Sequence, residues 1–575
     1  MIPMQRLVLR ILGRFSRKTF IRSAWKNLNS LNEHDELVDA LETLISMSHE
    51  ENEFIELITV IADVLSEAPM ASAFLCHIID SAALPSKETS HKITTRLLQK
   101  LKPGLCRTKP KKRIRVNVSI MWSVLAEKLA GEISLSLFTD SVCNTLLDYL
   151  QNDNDPRVRL FALIALEKFG MTGQNKQKIL SAEKDIHKIL QVLLKELYSN
   201  ENSTIDVYRK RQLKFCVDWT LKNTFDSGKG DIRNLDDSSI NHNNINVMMN
   251  PLDATAHWKL SPNGLEIRND NFAFESIRAT AGVTSGKWFY EVLLLTNGIM
   301  QIGYATKRCT FGPEEGTGIG DDHYGFAYDG CRNILWANGI SVPYGGNAPW
   351  KPGDVVGVYM DINLGCVRFF LNGKDLGMVH PLNIAQFRKL AESGLHPALS
   401  FTSYQQAIVN FGDEKFRYPP SSLSYEKLNN HVQLSAELRD SIQKRTSRYR
   451  SMSISSSLKQ QFETTEDDFD AQCSICFAMP PCIILGPCNH DGFCVECAKM
   501  MNLCPLCRCP ISLRRPMNNN NLPSSPIKLS SSTSYTSISS SIPSTAIVLP
   551  PTPPDSRSEY SIPSLEPDVS RGLEP

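Results

Sequence analysis

The feature that most constrains the fold of this sequence is a dense run of metal-binding side chains. The stretch "CNHDGFCVECAKMMNLCPLCR" (488–508) contains five cysteines and one histidine, and it is too short to enclose a hydrophobic core. The pair "CSIC" just upstream adds two more ligands at a spacing that clamps zinc from one tight turn. The complete series is Cys473, Cys476, Cys488, His490, Cys494, Cys497, Cys504 and Cys507.

Eight ligands complete two tetrahedral zinc sites, whereas six would leave either spare ligands or an incomplete second site. A segment this poor in core residues must take its folding free energy from metal, on the order of 10 kcal/mol or more per structural zinc. Because protein side chains fill every coordination position, neither ion has an open position for activating water. The sequence therefore predicts two structural Zn²⁺ ions and no hydrolytic centre.

The overall composition limits the classes of partner. The chain carries 62 basic and 61 acidic residues, so no global charge attracts nucleic acid or an anionic membrane. The stretch "DAQCSICFAMPPCIILGPCNHDGFC" contains no Lys or Arg, whereas a phosphate-binding finger needs several, and we therefore expect no nucleic-acid partner. Seven of the 16 cysteines stand singly among apolar neighbours outside the zinc segment. This pattern is typical of reduced, buried thiols and predicts a cytoplasmic location.

Residues 1–34 form a basic N-terminal segment, since the first 26 residues contain seven Arg or Lys and no acid. Arg6, Arg10 and Arg14 interrupt the apolar run that a secretory signal peptide needs. A mitochondrial presequence, an amphipathic segment on a membrane surface, a degraded targeting signal and a solvated basic helix face remain open interpretations. No stretch has the ~18 apolar residues that a transmembrane helix requires, so no membrane-spanning segment is expected.

Residues 35–225 carry apolar side chains at helical spacing, as in "FIELITVIADVL". In "TDSVCNTLLDYLQNDNDPRVRLFALIALEKFG", Thr139 or Asp140 can cap one helix, while Pro156 opens the next helix and Gly170 ends it. Paired antiparallel helices are the unit of armadillo-like or HEAT-like stacks. The sequence predicts an irregular α-helical, repeat-like domain for scaffolding or partner binding, and an ordinary helical bundle without a dedicated site is an equally open interpretation.

A linker rich in Gly, Asp, Ser and Asn is predicted over 226–252, followed by short β-rich runs over 253–418 that predict a β-sandwich. Runs such as "GKWFYEV", "GDVVGVYMDINLGCVRFFLNGKDLG" and "HPALSFTSYQQAIVNFG" resemble a SPRY domain in order and spacing. The resemblance implies a two-sheet sandwich whose loops bind short segments of partner proteins. Trp288 and Phe289 are expected in the core. Core packing is also favoured over a place at a binding edge for Tyr324, Trp336, Asn338 and Trp350.

The zinc segment resembles a C3HC4 RING finger, which is predicted over 471–514. The resemblance implies a cross-brace, in which ligand pairs one and three hold one zinc and pairs two and four hold the other. Site one then consists of Cys473, Cys476, Cys494 and Cys497, and site two consists of Cys488, His490, Cys504 and Cys507. A connector is predicted over 419–470. A tail rich in Ser and Pro over 515–575 is predicted to be disordered, because it cannot bury enough apolar surface to fold.

The same resemblance assigns roles to three residues beside the ligands. In RING-type ubiquitin ligases, an aliphatic residue inside the first C-x2-C pair and a proline inside the last pair contact the ubiquitin-conjugating enzyme (E2). Ile475 and Pro505 occupy these positions. Arg508 follows the last ligand, where such ligases hydrogen-bond both ubiquitin and the E2. The plainer interpretations are minor core for Ile475 and a solvated charge for Arg508. The spacer before the last pair lacks the usual Trp, so Met500 or Met501 has to supply the apolar wall.

The order of the three regions resembles the family of RING finger and SPRY domain-containing proteins over most of 115–515. The expected fold class is multidomain α + β, with an α-helical armadillo/HEAT-like domain, a SPRY β-sandwich, a small RING zinc cross-brace and a disordered tail. The resemblance implies a RING-type E3 ubiquitin ligase whose partners are an E2, ubiquitin and a protein substrate held by the SPRY domain. A RING dimer is a further expectation. The alternative interpretation is a non-enzymatic adaptor or scaffold.

Overall fold

The computed structural model describes residues 14–28, 34–102, 112–199, 207–225, 245–346, 348–431, 434, 473, 475, 483–486, 490–502 and 511–516. The predicted tail lies outside these residues from position 517 onward, as do most of the predicted linker and connector. Among the helices in these ranges, none has the length and apolar character that crossing a membrane demands.

The first region of the chain is helical, as predicted. Its helices are α1 (Arg14–Leu28), α2 (His34–Ser48), α3 (Glu51–Val64), α4 (Ala71–Ser81), α5 (Lys87–Leu101), α6 (Lys112–Lys128), α7 (Gly131–Leu137), α8 (Asp140–Asn152), α9 (Pro156–Phe169), α10 (Gly173–Leu180), α11 (Ile186–Ser199) and α12 (Val207–Asn223). The predicted caps are present at one helix pair. Thr139 caps α8 by accepting a hydrogen bond from the Val142 amide, and Gly170 is the C-cap of α9.

Helix α1 brings part of the basic N-terminal segment into the fold. Its apolar face buries Ile21, Trp25 and Leu28, and the helix packs against α2 and α3. Its basic face pairs with acidic side chains of α3, including Arg22 with Asp63 at 3.9 Å. Residues 14–28 are therefore a packed amphipathic helix whose loss would uncover the apolar surface of its neighbours.

The second region is a sandwich of two sheets whose strands pair antiparallel, apart from the short final strand β15 (Glu426–Lys427). Its strands are β1 (Met249–Ala254), β2 (Trp258–Leu260), β3 (Glu266–Asn269), β4 (Glu275–Ala279), β5 (Lys287–Leu294), β6 (Met300–Ala305), β7 (Gly325–Asp329), β8 (Ile334–Ala337), β9 (Ile340–Pro343), β10 (Val355–Asp361), β11 (Cys366–Leu371), β12 (Lys374–Val379), β13 (His396–Phe401), β14 (Gln405–Asn410) and β15 (Glu426–Lys427). One sheet has the order β1-β4-β13-β6-β7-β8-β9 and the other β12-β11-β10-β5-β14-β3-β2. The predicted sandwich is confirmed. Helix α13 (Ile384–Ala391) lies between β12 and β13 in the chain.

The sandwich continues past β14, because the chain after this strand returns to it. Strand β15 pairs in parallel with β5, and helix α14 (Leu428–His431) follows directly. The side-chain oxygen of Asn429 accepts hydrogen bonds from the backbone amides of Asn246 and Val247 at 2.7 and 3.1 Å. Residues up to 431 thus belong to the sandwich, although the predicted domain boundaries themselves stay predictions.

The aromatic residues that the sequence singled out are mostly in the core. Trp288 and Phe289 are buried in β5, and Trp336 and Trp350 are buried as well. Tyr324 is half-buried, whereas Asn338 is exposed at the β8–β9 turn with a positive φ of 59°. Core packing is therefore the correct interpretation for both Trp336 and Trp350.

The helical region and the sandwich meet at a group of buried charged side chains. Lys259 of β2 places its Nζ 2.8 Å from a Glu167 oxygen of α9 and 2.8 Å from an oxygen of Asp270. Arg268 of β3 donates to the other Asp270 oxygen at 2.7 Å. We call these four residues the buried charge cluster; their side chains are between 0% and 8% exposed. Since a buried charge is costly unless it is paired, the cluster fixes how the two regions pack.

Tyr404 is a second anchor of this interface. Its φ of 67° is unusual for a bulky residue, and its side chain is buried. The phenol oxygen lies 3.1 Å from the Ser123 hydroxyl of α6, and the ring packs edge-on against Phe161 of α9 at 5.3 Å. A continuous cluster of buried apolar side chains runs from the helices into the sandwich. The helical and SPRY-like regions therefore share one core.

The buried charge cluster predicts how stability depends on pH. Burial raises the pKa of Asp270, but the charges of Arg268 and Lys259 outweigh burial and lower it to about 2 from 3.8. An acid whose pKa is lower in the folded state contributes stability above its unfolded pKa and loses it as pH falls through the folded value. For Asp270 this contribution is about 2 kcal/mol and disappears between about pH 4 and pH 2.

Urea unfolding of the full chain at a series of pH values measures this dependence. Asp270→Asn is expected to flatten the loss of stability between about pH 4 and pH 2. The control is Asp375→Asn, which removes a carboxylate that is 40% exposed in its pair with Arg368. If Asp270→Asn retains the wild-type slope in this range, the cluster does not act through Asp270.

Candidate metal centre

The zinc segment forms a small sheet with one helix. Strands β16 (Ile483–Gly486), β17 (His490–Phe493) and β18 (Leu513–Pro516) have the order β17-β16-β18, and helix α15 (Val495–Met500) follows β17. Leu485, Phe493 and Ala498 are buried between the sheet and the helix. A core of this size is too small to hold a fold on its own, which agrees with the expected dependence on metal.

Three of the predicted ligands come together beside this core. The sulfur atoms of Cys473, Cys494 and Cys497 lie within 4.8 Å of one another, and all three residues are buried. Two of the sulfurs also accept backbone hydrogen bonds: the Cys494 amide donates to Cys473 Sγ at 3.2 Å, and the Cys497 amide donates to Cys494 Sγ at 3.4 Å. The Cys494 side chain is the N-cap of α15, so the helix N-terminus points at the sulfur group.

The chemistry of this group suits zinc. Burial raises the pKa of the Cys494 thiol, so in the absence of a cation the sulfur favours its protonated form. A bound Zn²⁺ would instead hold the sulfurs as thiolates, and backbone N–H donors stabilise thiolate ligands. Three converging sulfurs leave one position of a tetrahedron open, and the sequence predicts a fourth cysteine for it. The residues present therefore fit a structural zinc ion.

Most of the remaining predicted site residues lie outside the part of the chain that the structure describes. Cys476, Cys488, Cys504, Cys507, Pro505 and Arg508 lie outside the described residues, and His490 is described only through its backbone in β17. The assignment of ligands to two sites, and the roles of Pro505 and Arg508, stay predictions.

Ile475 lies between the sulfur group and the core of the sheet. It is partly buried and packs against both the cluster that contains Leu485 and the cluster of the three cysteines. Met501 packs against the same core from the end of α15. Ile475 thus has a packing role, and part of its side chain is exposed.

Sequence reasoning missed Arg514, the last residue of the predicted finger. Its guanidinium donates to the Ala498 carbonyl at 2.7 Å and also to the Met501 carbonyl. Both acceptors are backbone atoms, which no residue pattern identifies. The basic dipeptide in "LRRP" after the last ligand pair is the one local signal in the sequence.

Comparisons with known proteins agree with these regions. Residues 287–414 match the family model for the SPRY domain, and residues 469–514 match that for the zinc finger, C3HC4 type (RING finger). The chain is similar to the E3 ubiquitin-protein ligase RKP of Arabidopsis thaliana, with 41% identity over 147 residues. That match covers 25% of this chain and 11% of the plant protein, so the chain spans only a small part of this relative.

Two solved structures are similar to part of the chain. The TRIM65 PSpry domain is 18% identical, with a TM-score of 0.24, and the match covers 29% of this chain and 90% of that one. The SPRY domain of human HERC1 is 14% identical, with a TM-score of 0.24, and the match covers 29% of this chain and 99% of that one.

Proposed function

We propose that this chain, which combines a SPRY domain with a C3HC4 RING finger, is an E3 ubiquitin ligase that acts without a covalent intermediate. The observation that carries the proposal is the RING match over 469–514 together with the three converging, buried cysteines within it. A relative that is 41% identical over 147 residues is named as an E3 ubiquitin-protein ligase. In this proposal the finger binds an E2 that carries ubiquitin, and the SPRY domain binds the substrate protein.

Two zinc ions hold the finger in this proposal. Cys473, Cys476, Cys494 and Cys497 bind one, and Cys488, His490, Cys504 and Cys507 bind the other. The ions supply folding free energy and no reactive water, because protein ligands fill each tetrahedron. The reaction therefore takes place at the E2 thioester, and the role of the finger is to position this thioester.

Three residues of the finger carry out the positioning. Ile475 and Pro505 form the apolar contact with the E2. Arg508 hydrogen-bonds the E2 and ubiquitin together, since the planar guanidinium presents donors that reach two carbonyl acceptors at once. Holding the thioester in a reactive pose converts the attack of a substrate lysine into an effectively intramolecular step. The lysine nitrogen attacks the thioester carbonyl, the isopeptide bond forms, and the E2 cysteine leaves as the thiol.

A reconstituted reaction with E1, a panel of E2 enzymes and ubiquitin tests the proposal. We expect ubiquitin chains with at least one E2, and a rate lowered about tenfold or more by Ile475→Ala and by Arg508→Ala, equal to about 1.4 kcal/mol or more of transition-state stabilisation. The matched controls are Ile340→Ala, at a 59% exposed position in the sandwich, and Arg515→Met on β18. Native mass spectrometry has to show that all variants keep their zinc.

One outcome contradicts the proposed ligase activity, and another contradicts only the residues proposed to contact the E2. Absence of chains with every E2 favours a non-enzymatic adaptor that uses the RING finger for assembly. Unchanged rates in both Ile475→Ala and Arg508→Ala leave the ligase activity but refute the assigned E2 contacts.

A further inference from the structure

Helix α1 presents a row of exposed positive charges on its outer face. Its sequence contains five Arg or Lys and no Asp or Glu. Lys18, Arg22 and Lys26 are four residues apart, so their side chains follow one another along the same face of the helix at intervals of about 6 Å. The side chains of Lys18 and Arg22 are 48% and 54% exposed, and Lys26 is exposed as well. We call these three residues the basic row.

The neighbouring acidic residues balance the basic row only in part. Glu56 and Asp63 of α3 lie 3.9 Å from the nearest cations of the row, which is a long distance for an ion pair. Both carboxylates already hold a closer cation of helix α5, Arg96 at 2.7 Å and Lys100 at 2.5 Å. Lys26 has no acidic partner among the residues that the structure describes. The row therefore keeps hydrogen-bond donors that are directed to solvent.

This arrangement costs the helix stability. Like charges four residues apart on a helix repel each other, whereas opposite charges at the same spacing attract. Helix α5 shows the favourable pattern, because its exposed Lys92 pairs with Glu88 one turn earlier. A face that only has to be soluble could use such mixed charges. The single sign of the basic row is therefore better explained by a negatively charged binding partner.

The apolar face of α1 is already used inside the fold, where Ile21, Trp25 and Leu28 are buried. The helix can therefore act on a partner only through its charges. Membrane surfaces and nucleic acids present dense negative charge, which Glu56 and Asp63 beside the row would repel. A protein segment can place a few carboxylates along the row alone. Side chains four residues apart in a helix, or two residues apart in an extended chain, repeat at about 6–7 Å and fit the row.

We propose that the basic row is a docking site for an acidic segment of a partner protein, in which carboxylates repeat at about 6–7 Å. The row belongs to the helical region and shares no residue with the SPRY domain or the RING finger. The inference therefore goes beyond the proposed ligase function and does not depend on it. It gives the helical region a binding role in addition to its packing against the sandwich.

Fluorescence anisotropy with the full chain tests the proposal at about 50 mM salt, where screening is weak. The probe is a labelled peptide of about 20 Ala and Gln residues with Glu at every fourth position, and the comparison peptide has the same number of Glu in one block. The test variant combines Lys18→Gln, Arg22→Gln and Lys26→Gln. The control variant combines Lys351→Gln, Lys374→Gln and Lys389→Gln, which remove equal charge from exposed positions of the sandwich.

We expect the test variant to bind the spaced peptide about tenfold more weakly than wild type, and Lys26→Gln alone about twofold more weakly, since each exposed ion pair contributes little. The control variant should match wild type. Wild type should prefer the spaced peptide to the block peptide. Urea unfolding checks that each variant is folded, and Lys26→Gln decides the question if the triple variant is not.

Three results would overturn the docking site. The first is absence of peptide binding by wild type or equal binding by wild type and the test variant. The second is equal affinity for the two peptides, which would mean a response to net charge alone. The third is binding of vesicles with about 30% phosphatidylserine, or of a single-stranded RNA, that depends on the basic row and exceeds binding of the peptide. Absence of ubiquitin transfer would leave the inference intact, because no step of this test uses an E2.

Discussion

Replacing Lys259 by methionine is expected to lower the free energy of unfolding of the helical and SPRY regions by about 3–5 kcal/mol. The Lys259 ammonium lies 2.8 Å from Glu167 and 2.8 Å from Asp270, and it also stands 4.7 Å from the centre of the Trp219 ring. Without the Lys259 cation, Asp270 is still paired with the positive charge of Arg268. Glu167 is left with a neutral partner, the Thr220 hydroxyl, which donates a hydrogen bond to it at 3.1 Å. A buried carboxylate without a cationic partner is strongly destabilising.

A matched control exists at the same interface. Arg211 of α12 pairs with Glu266 of β3 at 3.3 Å and thus also joins the helical region to the sandwich, but its side chain is 45% exposed. Arg211→Met should cost at most about 1 kcal/mol, because water screens an exposed pair. Urea unfolding of the full chain, followed by circular dichroism and by Trp fluorescence, measures both variants. Equal losses in the two would mean that the buried charge cluster contributes no more than a surface pair.

A double variant tests the cause of the loss. In Lys259→Met with Glu167→Gln, the carboxylate that lost its cation is replaced by a neutral amide of similar size. We expect this variant to recover part of the stability lost in Lys259→Met, since the penalty arises from the uncompensated charge. A double variant that is less stable than Lys259→Met would indicate that packing of the Lys259 stem, rather than charge, dominates.

The sequence could predict the separate regions but not the contact between them. Helical and strand periodicity are local, and so are the caps at Thr139 and Gly170, which the structure places as expected. Lys259 in "HWKLS" has the same local pattern as an exposed charge on a strand. Its partner Glu167 is 92 positions away in the chain, on a helix face that is otherwise apolar. A single sequence contains no signal that pairs two charges at that distance.

In the zinc segment, too, the sequence predicts local features but not the contacts between separate parts of the segment. Ligand spacing within each pair is local, whereas the grouping of Cys473 with Cys494 and Cys497, whose sulfurs converge, is what the resemblance to a RING finger implies. The contacts of Arg514 could not be predicted from the sequence. Its side chain donates to the backbone carbonyl groups of Ala498 and Met501, and because every residue has a carbonyl group, no residue pattern marks these two as acceptors. Ile475 lies between these extremes. The sequence allowed either an E2 contact or minor core packing for it, and the structure shows the packing, while the E2 contact stays a prediction.

Substituting Cys494 by serine is expected to remove zinc from the finger and to unfold its three-stranded sheet. Cys494 belongs to the converging sulfur group, its side chain caps α15 and its backbone amide donates to Cys473, so this one residue links the sulfur group to both the helix and the upstream segment. The expected loss is on the order of 10 kcal/mol for the site, far more than the small core around Leu485 can replace. The helical and SPRY regions have their own core and should keep their unfolding transition.

Native mass spectrometry and hydrogen exchange of the full chain measure this outcome. The matched control is Cys366→Ser in β11, which alters a buried cysteine of the sandwich that is 2% exposed and outside the predicted ligand series. Cys366→Ser should keep the wild-type zinc content. Wild type with one zinc per chain would refute the assignment of eight ligands to two sites.

The zinc content of Cys494→Ser also tests how the two sites are arranged. Under the proposed cross-brace, Cys488 and His490 lie in the chain between two ligand pairs of site one, so loss of site one releases the segment that carries half of site two. Cys494→Ser should then lose both ions together. If the ligands were arranged as two consecutive fingers, each site would be enclosed in its own segment, and the variant would keep one ion at full affinity. A stable species with one zinc, bound as tightly as in wild type, would therefore contradict the interleaved arrangement even if wild type binds two.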